Sequence, residues 1–190
     1  WTTVWSKQPA AAEQLACIIG RPGALRELEL QVPRMRADRV AAAIWTPPTG
    51  VPVHVVSIYA YTSPTQEQVD ALGDLLLAVL DVAAGTGAVP WLLVGDFQAP
   101  MSGIPQAQWL ELAGWHDMAS AATCIASVSL TARRIDHCIG NRSMRQALTA
   151  CDVDRGTGIP THAAHRLRLA PAGQRWKRVW QGGNEYVPEE

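Results

Sequence analysis

One phenylalanine, two lysines and no CxxC pair are what this chain has least of. Its four cysteines, Cys17, Cys124, Cys138 and Cys151, are scattered. That excludes a zinc knuckle and the dense disulfide framework of a small secreted domain, and they read as free core thiols of a reducing, intracellular compartment. No uninterrupted apolar run reaches membrane-span length and no signal sequence precedes the first strands, so no membrane partner is expected. An initiator Met is also missing: the chain starts at Trp1 and reads as a piece of a longer protein. Cationic side chains are absent between Arg39 and Arg133, a stretch that holds seven acidic residues. The net charge of −1 therefore hides a segregation.

What is present is an apolar, one-domain chain. At 190 residues and 48% apolar it is long enough to bury a substantial core and is not a disordered tail. From Arg133 onward it turns basic, with Arg133, Arg134, Arg142, Arg145, Arg166 and Arg168. The preference for Arg over Lys suits bidentate phosphate contacts, and equally fits a compositional bias of the genome.

The centre of the pattern is Trp91-Leu92-Leu93-Val94-Gly95-Asp96-Phe97-Gln98. Four apolar residues, too short for a helix, read as a buried strand that Gly95 ends in a sharp turn, with Asp96 the first polar group beyond it. Upstream, Ala16 to Ile19 and Glu27 to Val32 read as strands, the second by its alternation. Arg39 to Trp45 and Val53 to Ala60 read as a hairpin joined through Pro47-Pro48-Thr49-Gly50. Ser63-Pro64-Thr65-Gln66 opens a helix, with Ser63 as cap and Pro64 in the first turn. Val69, Leu72, Leu76, Val79, Leu80 and Ala83 form its apolar stripe, and Gly85-Thr86-Gly87 ends it.

A shorter helix through Trp109, Leu110 and Leu112 stops at Gly114. Ile135 to Ile139, Ala147 to Val153 and Ala164 to Leu169 read as further strands, and the stretch between Ala119 and Ala132 has no period. Strand, helix and strand in this order give a mixed α/β class. Residues 1–170 form the domain, and 171–190 read as a polar tail or linker.

Four polar residues close or follow these strands: Tyr59 after Val55 to Ile58, Asp96 after Trp91 to Gly95, Asp136 in Arg134-Ile135-Asp136-His137, and His162 in Pro160-Thr161-His162. Singly they have ordinary explanations, as a half-buried strand Tyr, a turn Asp, an ion-paired Asp and a loop His. In this order they resemble the endonuclease/exonuclease/phosphatase superfamily of apurinic-site, DNase-like and retrotransposon endonucleases and inositol-polyphosphate phosphatases. The family's Y-x-P, G-D-x-N, R-I-D-Y and S-D-H motifs are similar to Tyr59-Ala60, Gly95-Asp96-Phe97-Gln98, Arg134 to His137 and Pro160-Thr161-His162.

The resemblance implies a two-sheet α/β sandwich of the DNase-like type missing its first strands, over about Leu15 to Leu169. It implies phosphodiester hydrolysis assisted by Mg²⁺ or Mn²⁺, with nucleic acid as partner. Asp96 would orient or deprotonate the water, Asp136 would hold the tautomer of His162 facing the phosphate, Tyr59 would donate to a phosphate oxygen, and Gln98 would bind the phosphate or the water. The family's metal-binding Glu has no counterpart here; Glu13 precedes the recognisable strands in an unmatched context. Thr161 stands for the Asp of S-D-H and offers neither its charge nor its two oxygens. Gln98 stands for Asn, one methylene longer. Two other readings stay open: a scaffold that keeps the fold without cutting and binds nucleic acid or protein, and a phosphatase for a small phosphorylated lipid or sugar.

Overall fold

The structure, a computed structural model, describes residues 2–5, 16–20, 24–31, 34–47, 50–119, 122–125, 132–155, 162–170, 176–179 and 185–188. Fourteen strands are described: β1 (Thr2–Trp5), β2 (Cys17–Gly20), β3 (Leu25–Glu27), β4 (Val40–Trp45), β5 (Val53–Tyr59), β6 (Trp91–Asp96), β7 (His116–Asp117), β8 (Cys124–Ile125), β9 (Ala132–Arg133), β10 (Asp136–Gly140), β11 (Leu148–Asp154), β12 (Ala164–Leu169), β13 (Trp176–Val179) and β14 (Glu185–Pro188). Three α-helices accompany them: α1 (Gln66–Thr86), α2 (Ala107–Leu112) and α3 (Arg142–Ala147).

Six strands form the main sheet, in the order β3-β4-β5-β6-β10-β7. The β4–β5 hairpin pairs antiparallel from Val40↔Ile58 to Trp45↔Val53. Because α1 carries the chain back across the sheet, β6 then lies parallel to β5, and β10 runs antiparallel on its other side. The fully apolar Trp91 to Val94 strand is thus interior, as its composition requires: both faces of β6 are covered.

Alternation along β5 separates two cores. Val56 and Ile58 face α1 and α2, joining Leu72, Leu75, Leu76, Val79, Trp91, Leu93 and Leu110. Val53 and Val55 face the other way, joining Leu92, Cys138 and Met144 under the β11–β12 hairpin, which contributes Leu148, Cys151, Val153, Leu167 and Leu169. The result is helices, a six-stranded sheet and a second strand layer, an α/β sandwich. Each fully buried Leu or Val of α1 contributes about 1.5–3 kcal/mol before chain entropy is counted.

Several local readings shift. The cap of α1 is Thr65, not Ser63: its hydroxyl accepts from the Gln68 N–H while the Gln68 side chain accepts from the Thr65 N–H. Ser63 sits at φ 50°, before Pro64, in the turn that leads to this box. The alternation from Glu27 is core packing more than strand: β3 ends at Glu27, and Leu28 and Leu30 enter the helix-side core. Val32 lies outside the described residues.

Helix α3, unforeseen, occupies the stretch before β11, capped by Asn141, whose side chain accepts from the Met144 N–H. Cys124, Cys138 and Cys151 are free thiols. Of the stretch read as a tail, the described residues form the antiparallel pair β13–β14. Among the described residues no helix is long and apolar enough to cross a membrane.

Candidate active site

Three strand ends meet in one row. Register pairs Tyr59 on β5 with Asp96 on β6, and Asp96 with Asp136 on β10. Register partners project to one side of a sheet, so these three side chains share the face toward the second strand layer. Two backbone bonds extend the row beyond the strands: Ala60 N–H to Asp96 O at 2.8 Å and Phe97 N–H to Ile135 O at 2.8 Å.

Gly95 explains why β6 reaches that far. The expected turn at Gly95 is absent, and the strand runs through it to Asp96. Its φ is 141°, and a Cβ there would lie 1.9 Å from the Ile58 carbonyl oxygen. Only a residue without a side chain lets β5 and β6 approach so closely. The bend comes later, around Gln98, which holds φ 56°.

That bend folds Gln98 back onto Asp96. The Gln98 backbone N–H donates to Asp96 Oδ1 at 2.9 Å, and its side-chain amide donates to Oδ2. Asp96 is 9% exposed. Burial raises its pKa above the usual carboxylate value, and the charge of Asp136 adds to this. The Gln98 bonds and His162 pull the other way without cancelling it.

His162 is bound to Asp136 through Nδ1, 3.1 and 3.0 Å from the two carboxylate oxygens. With Nδ1 committed as donor, Nε2 is the nitrogen left for chemistry. The backbone fixes it from behind: His162 bridges Cys124, and the Ala163 N–H donates to Thr123 O at 2.8 Å. Fully buried Thr123 also accepts from the Asp136 N–H at 3.2 Å through its hydroxyl. Thr123 thus holds both His162 and Asp136 in place, and the sequence did not disclose it, since it lies in the stretch without period.

Tyr59 is half-buried, and its hydroxyl has no hydrogen-bond partner among the described residues. Arg39 secures its backbone, with Nη1 donating to Tyr59 O at 3.2 Å and Ala60 O at 2.8 Å. The guanidinium carbon lies 5.6 Å from the Tyr59 ring centre and 4.2 Å from that of Tyr61. Arg39 was also not singled out in the sequence.

Behind the row, on the helix side, His137 is buried between Asp117 and the loop after Asp96. Its Nδ1 is 2.6 Å from Asp117 Oδ2 and its Nε2 is 3.0 Å from Ala99 O. Both partners, a carboxylate and a backbone carbonyl, are acceptors. Burial opposes ionisation of Asp117, yet the bond from His137 and the charges of His137 and Arg134 hold its pKa below the ordinary value. Buried His137, held by half-buried Asp117, braces Phe97 to Ala99, and with them Gln98.

Asp96, Asp136 and His162 each place one ligand atom within 4.8 Å of the others. Two carboxylates and an imidazole suit a divalent cation, and Mg²⁺ characteristically takes only one or two protein carboxylates, the rest being water and phosphate oxygens. The donor set present therefore fits such an ion. Thr161, Pro160 and Glu13 lie outside the described residues.

No protein-family model and no curated protein sequence matches the chain. Solved structures do. The endonuclease domain of TRAS1, a telomere-specific non-LTR retrotransposon, aligns with a TM-score of 0.65 at 13% identity, over 88% of this chain and 77% of that one. The 3′ phosphatase NExo from Neisseria, bound to a product DNA hairpin, aligns at 0.59 with 20% identity, over 90% and 79%. An AP endonuclease from Archaeoglobus fulgidus aligns at 0.55 with 13% identity, over 80% and 73%. The chain has the endonuclease/exonuclease/phosphatase, or DNase-like, fold.

Proposed function

We propose that this chain carries the site of a divalent-metal-assisted phosphodiesterase acting on nucleic acid. The observation that supports it most is the row Tyr59–Asp96–Asp136 with His162 bound to its end. Residues far apart in sequence converge where a phosphate would bridge them, and each is of the type hydrolysis needs.

Asp96, held by two donors from Gln98, orients the attacking water and accepts its proton. Such a role is worth about 10²–10⁴ in rate. Asp136 keeps Nδ1 of His162 protonated, so Nε2 faces the phosphate. Tyr59, whose hydroxyl has no partner among the described residues, donates to a phosphate oxygen. A Mg²⁺ or Mn²⁺ ion held by Asp96 and Asp136 would supply charge neutralisation for the phosphate.

Nucleic acid is favoured as substrate because a cation borders the site. Exposed Arg133 on β9 pairs in register with Cys124, whose other neighbour is His162. The acidic outer positions of α1 (Glu67, Asp70, Asp74 and Asp81) leave that helix face unsuited to a polyanion. Arg166 and Arg168 are taken up by Asp154 and Asp152 across the β11–β12 hairpin.

A second reading, a scaffold that no longer cuts, is favoured by one observation. The Gln98 amide that would meet phosphate or water is bonded to Asp96 instead. Nicking of supercoiled plasmid in Mg²⁺ or Mn²⁺ separates the two, with wild type compared with Asp96→Ala and His162→Ala. Cleavage lost in both variants supports the enzyme. Plasmid binding without cleavage in all three supports the scaffold. Because no residue of this chain matches the family's metal-binding Glu, wild-type cleavage is expected to be weak, and Thr161→Asp alone is expected to restore little.

A further inference from the structure

At the opposite end of the main sheet a second row of register partners forms the floor of a cavity. Arg26 on β3 pairs with Ile44 on β4, Ile44 with His54 on β5, and His54 with Trp91 on β6. His54 and Tyr59 lie five residues apart on β5, so the two rows are about 17 Å apart. They also face opposite ways, since His54 has the parity of the helix-facing Val56 and Ile58.

The cavity encloses about 500 Å³, within the range of small-molecule sites, and its walls are mostly apolar: Leu25, Val51, Pro52, Val89 and Pro90. Two polar groups line it, exposed Arg26 and buried His54. Arg26 has no carboxylate partner among the described residues. His54 is 9% exposed, with its ring edge on Trp91 at 4.6 Å, and its Nδ1 is buried without a partner. An N–H left there would be an orphaned buried donor, so the ring proton belongs on Nε2, which opens to the cavity. Burial and the Arg26 charge lower the His54 pKa, which keeps the ring neutral.

We infer that this cavity is a binding site for a small carboxylate with an apolar body, its anionic head between the Arg26 guanidinium and His54 Nε2 and its apolar part against Ile44, Val51 and Val89. A guanidinium and an imidazole N–H lining one cavity suit an acceptor carrying negative charge. The apolar walls suit an apolar body, which a bare inorganic anion lacks. The inference does not depend on the proposed nuclease activity.

The test is an amide NMR titration of the whole chain with benzoate, and with benzyl alcohol and acetate as the uncharged and ringless comparators. Benzoate is expected to shift the amides of Arg26, Ile44, His54 and Val89 as one saturable set. Each comparator is expected to bind about tenfold more weakly or worse, the loss of one charge-assisted contact or of the apolar body. Arg26→Gln should weaken benzoate to a similar degree, while Asp96→Asn should leave it unchanged. Benzyl alcohol binding as tightly as benzoate, shifts confined to other residues, or no shifts at all would each overturn the assignment. The comparison among the three probes decides the matter on wild type even if Arg26→Gln fails to fold.

Discussion

Replacing Gly95 by alanine should damage this protein more than any other single methyl group added to the candidate site. The new Cβ would lie 1.9 Å from Ile58 O and 2.8 Å from the Ile58 carbonyl carbon, and φ is 141°. An ordinary carbon–oxygen contact is about 3.3 Å, so strand β5 or β6 must give way by roughly 1.4 Å. The backbone conformation alone costs about 1–3 kcal/mol in a residue with a side chain, and overpacking adds about 1–3 kcal/mol.

A loss of roughly 2–6 kcal/mol is a large part of the 5–15 kcal/mol typical of a domain. With a urea slope of roughly 2 kcal/mol per molar, the unfolding midpoint should fall by about 1 M or more. Gly85→Ala is the matched control: it lies in α1, nothing is within 4 Å of its added Cβ, and its φ is not positive. That variant should gain about 0.5–1 kcal/mol from helix propensity. A Gly95→Ala midpoint within about 0.3 M of wild type would refute the close-approach argument, since that shift is under 1 kcal/mol on the same slope.

Three further outcomes are expected. Asp96→Asn should lose cleavage and gain stability. The folded pKa of Asp96 is raised, so its contribution is complete below the unfolded value of about 3.9 and lost as pH rises through the folded one. The variant's advantage in urea should therefore grow from pH 4 to pH 7, and an advantage that shrinks over that range refutes the sign. Thr65→Ala should cost about 1 kcal/mol by opening the capping box of α1, read as a lower thermal midpoint; Ser63→Ala should cost almost nothing. Arg39→Met should lower kcat by about 10²-fold, the cost of a roughly 1 Å displacement, with little change in KM, because the residue acts through the placement of Tyr59. In a Tyr59→Phe background the same substitution should add little, and additive losses would show that Arg39 acts elsewhere.

The sequence carried the parts of this fold that rest on local pattern. A run such as Trp91 to Val94 has to be interior, the stripe from Leu72 to Ala83 has to face a sheet, and four polar residues at strand ends are visible one by one. Pairing is what it did not carry. That Asp136 falls opposite Asp96 and not Gly95 depends on register across strands forty residues apart, which no local signal sets. The brace of His137 on Asp117 was hidden for the same reason, and so was Thr123 under Asp136.

Gly95 misled in a different way. Glycine serves both turns and close approaches, and only the position of Ile58 O distinguishes them. At Thr65 the error was one of competition: Ser63 and Thr65 both offer a cap, and the box with Gln68 exists only for the second.

The two amides that extend the row, Ala60 on Asp96 and Phe97 on Ile135, sit at an end of the sheet where fraying would ordinarily let solvent in. Each bonds across a different strand pair, one joining β5 to β6 and the other joining β6 to the entry of β10. Neither can exchange its hydrogen for deuterium unless central strands part, so both should exchange about as slowly as amides in the middle of β6. A sheet end knit this way does not part easily beneath the proposed site. The Gln98 amide can swing off Asp96 without disturbing these bonds, a side-chain movement over strands that stay still.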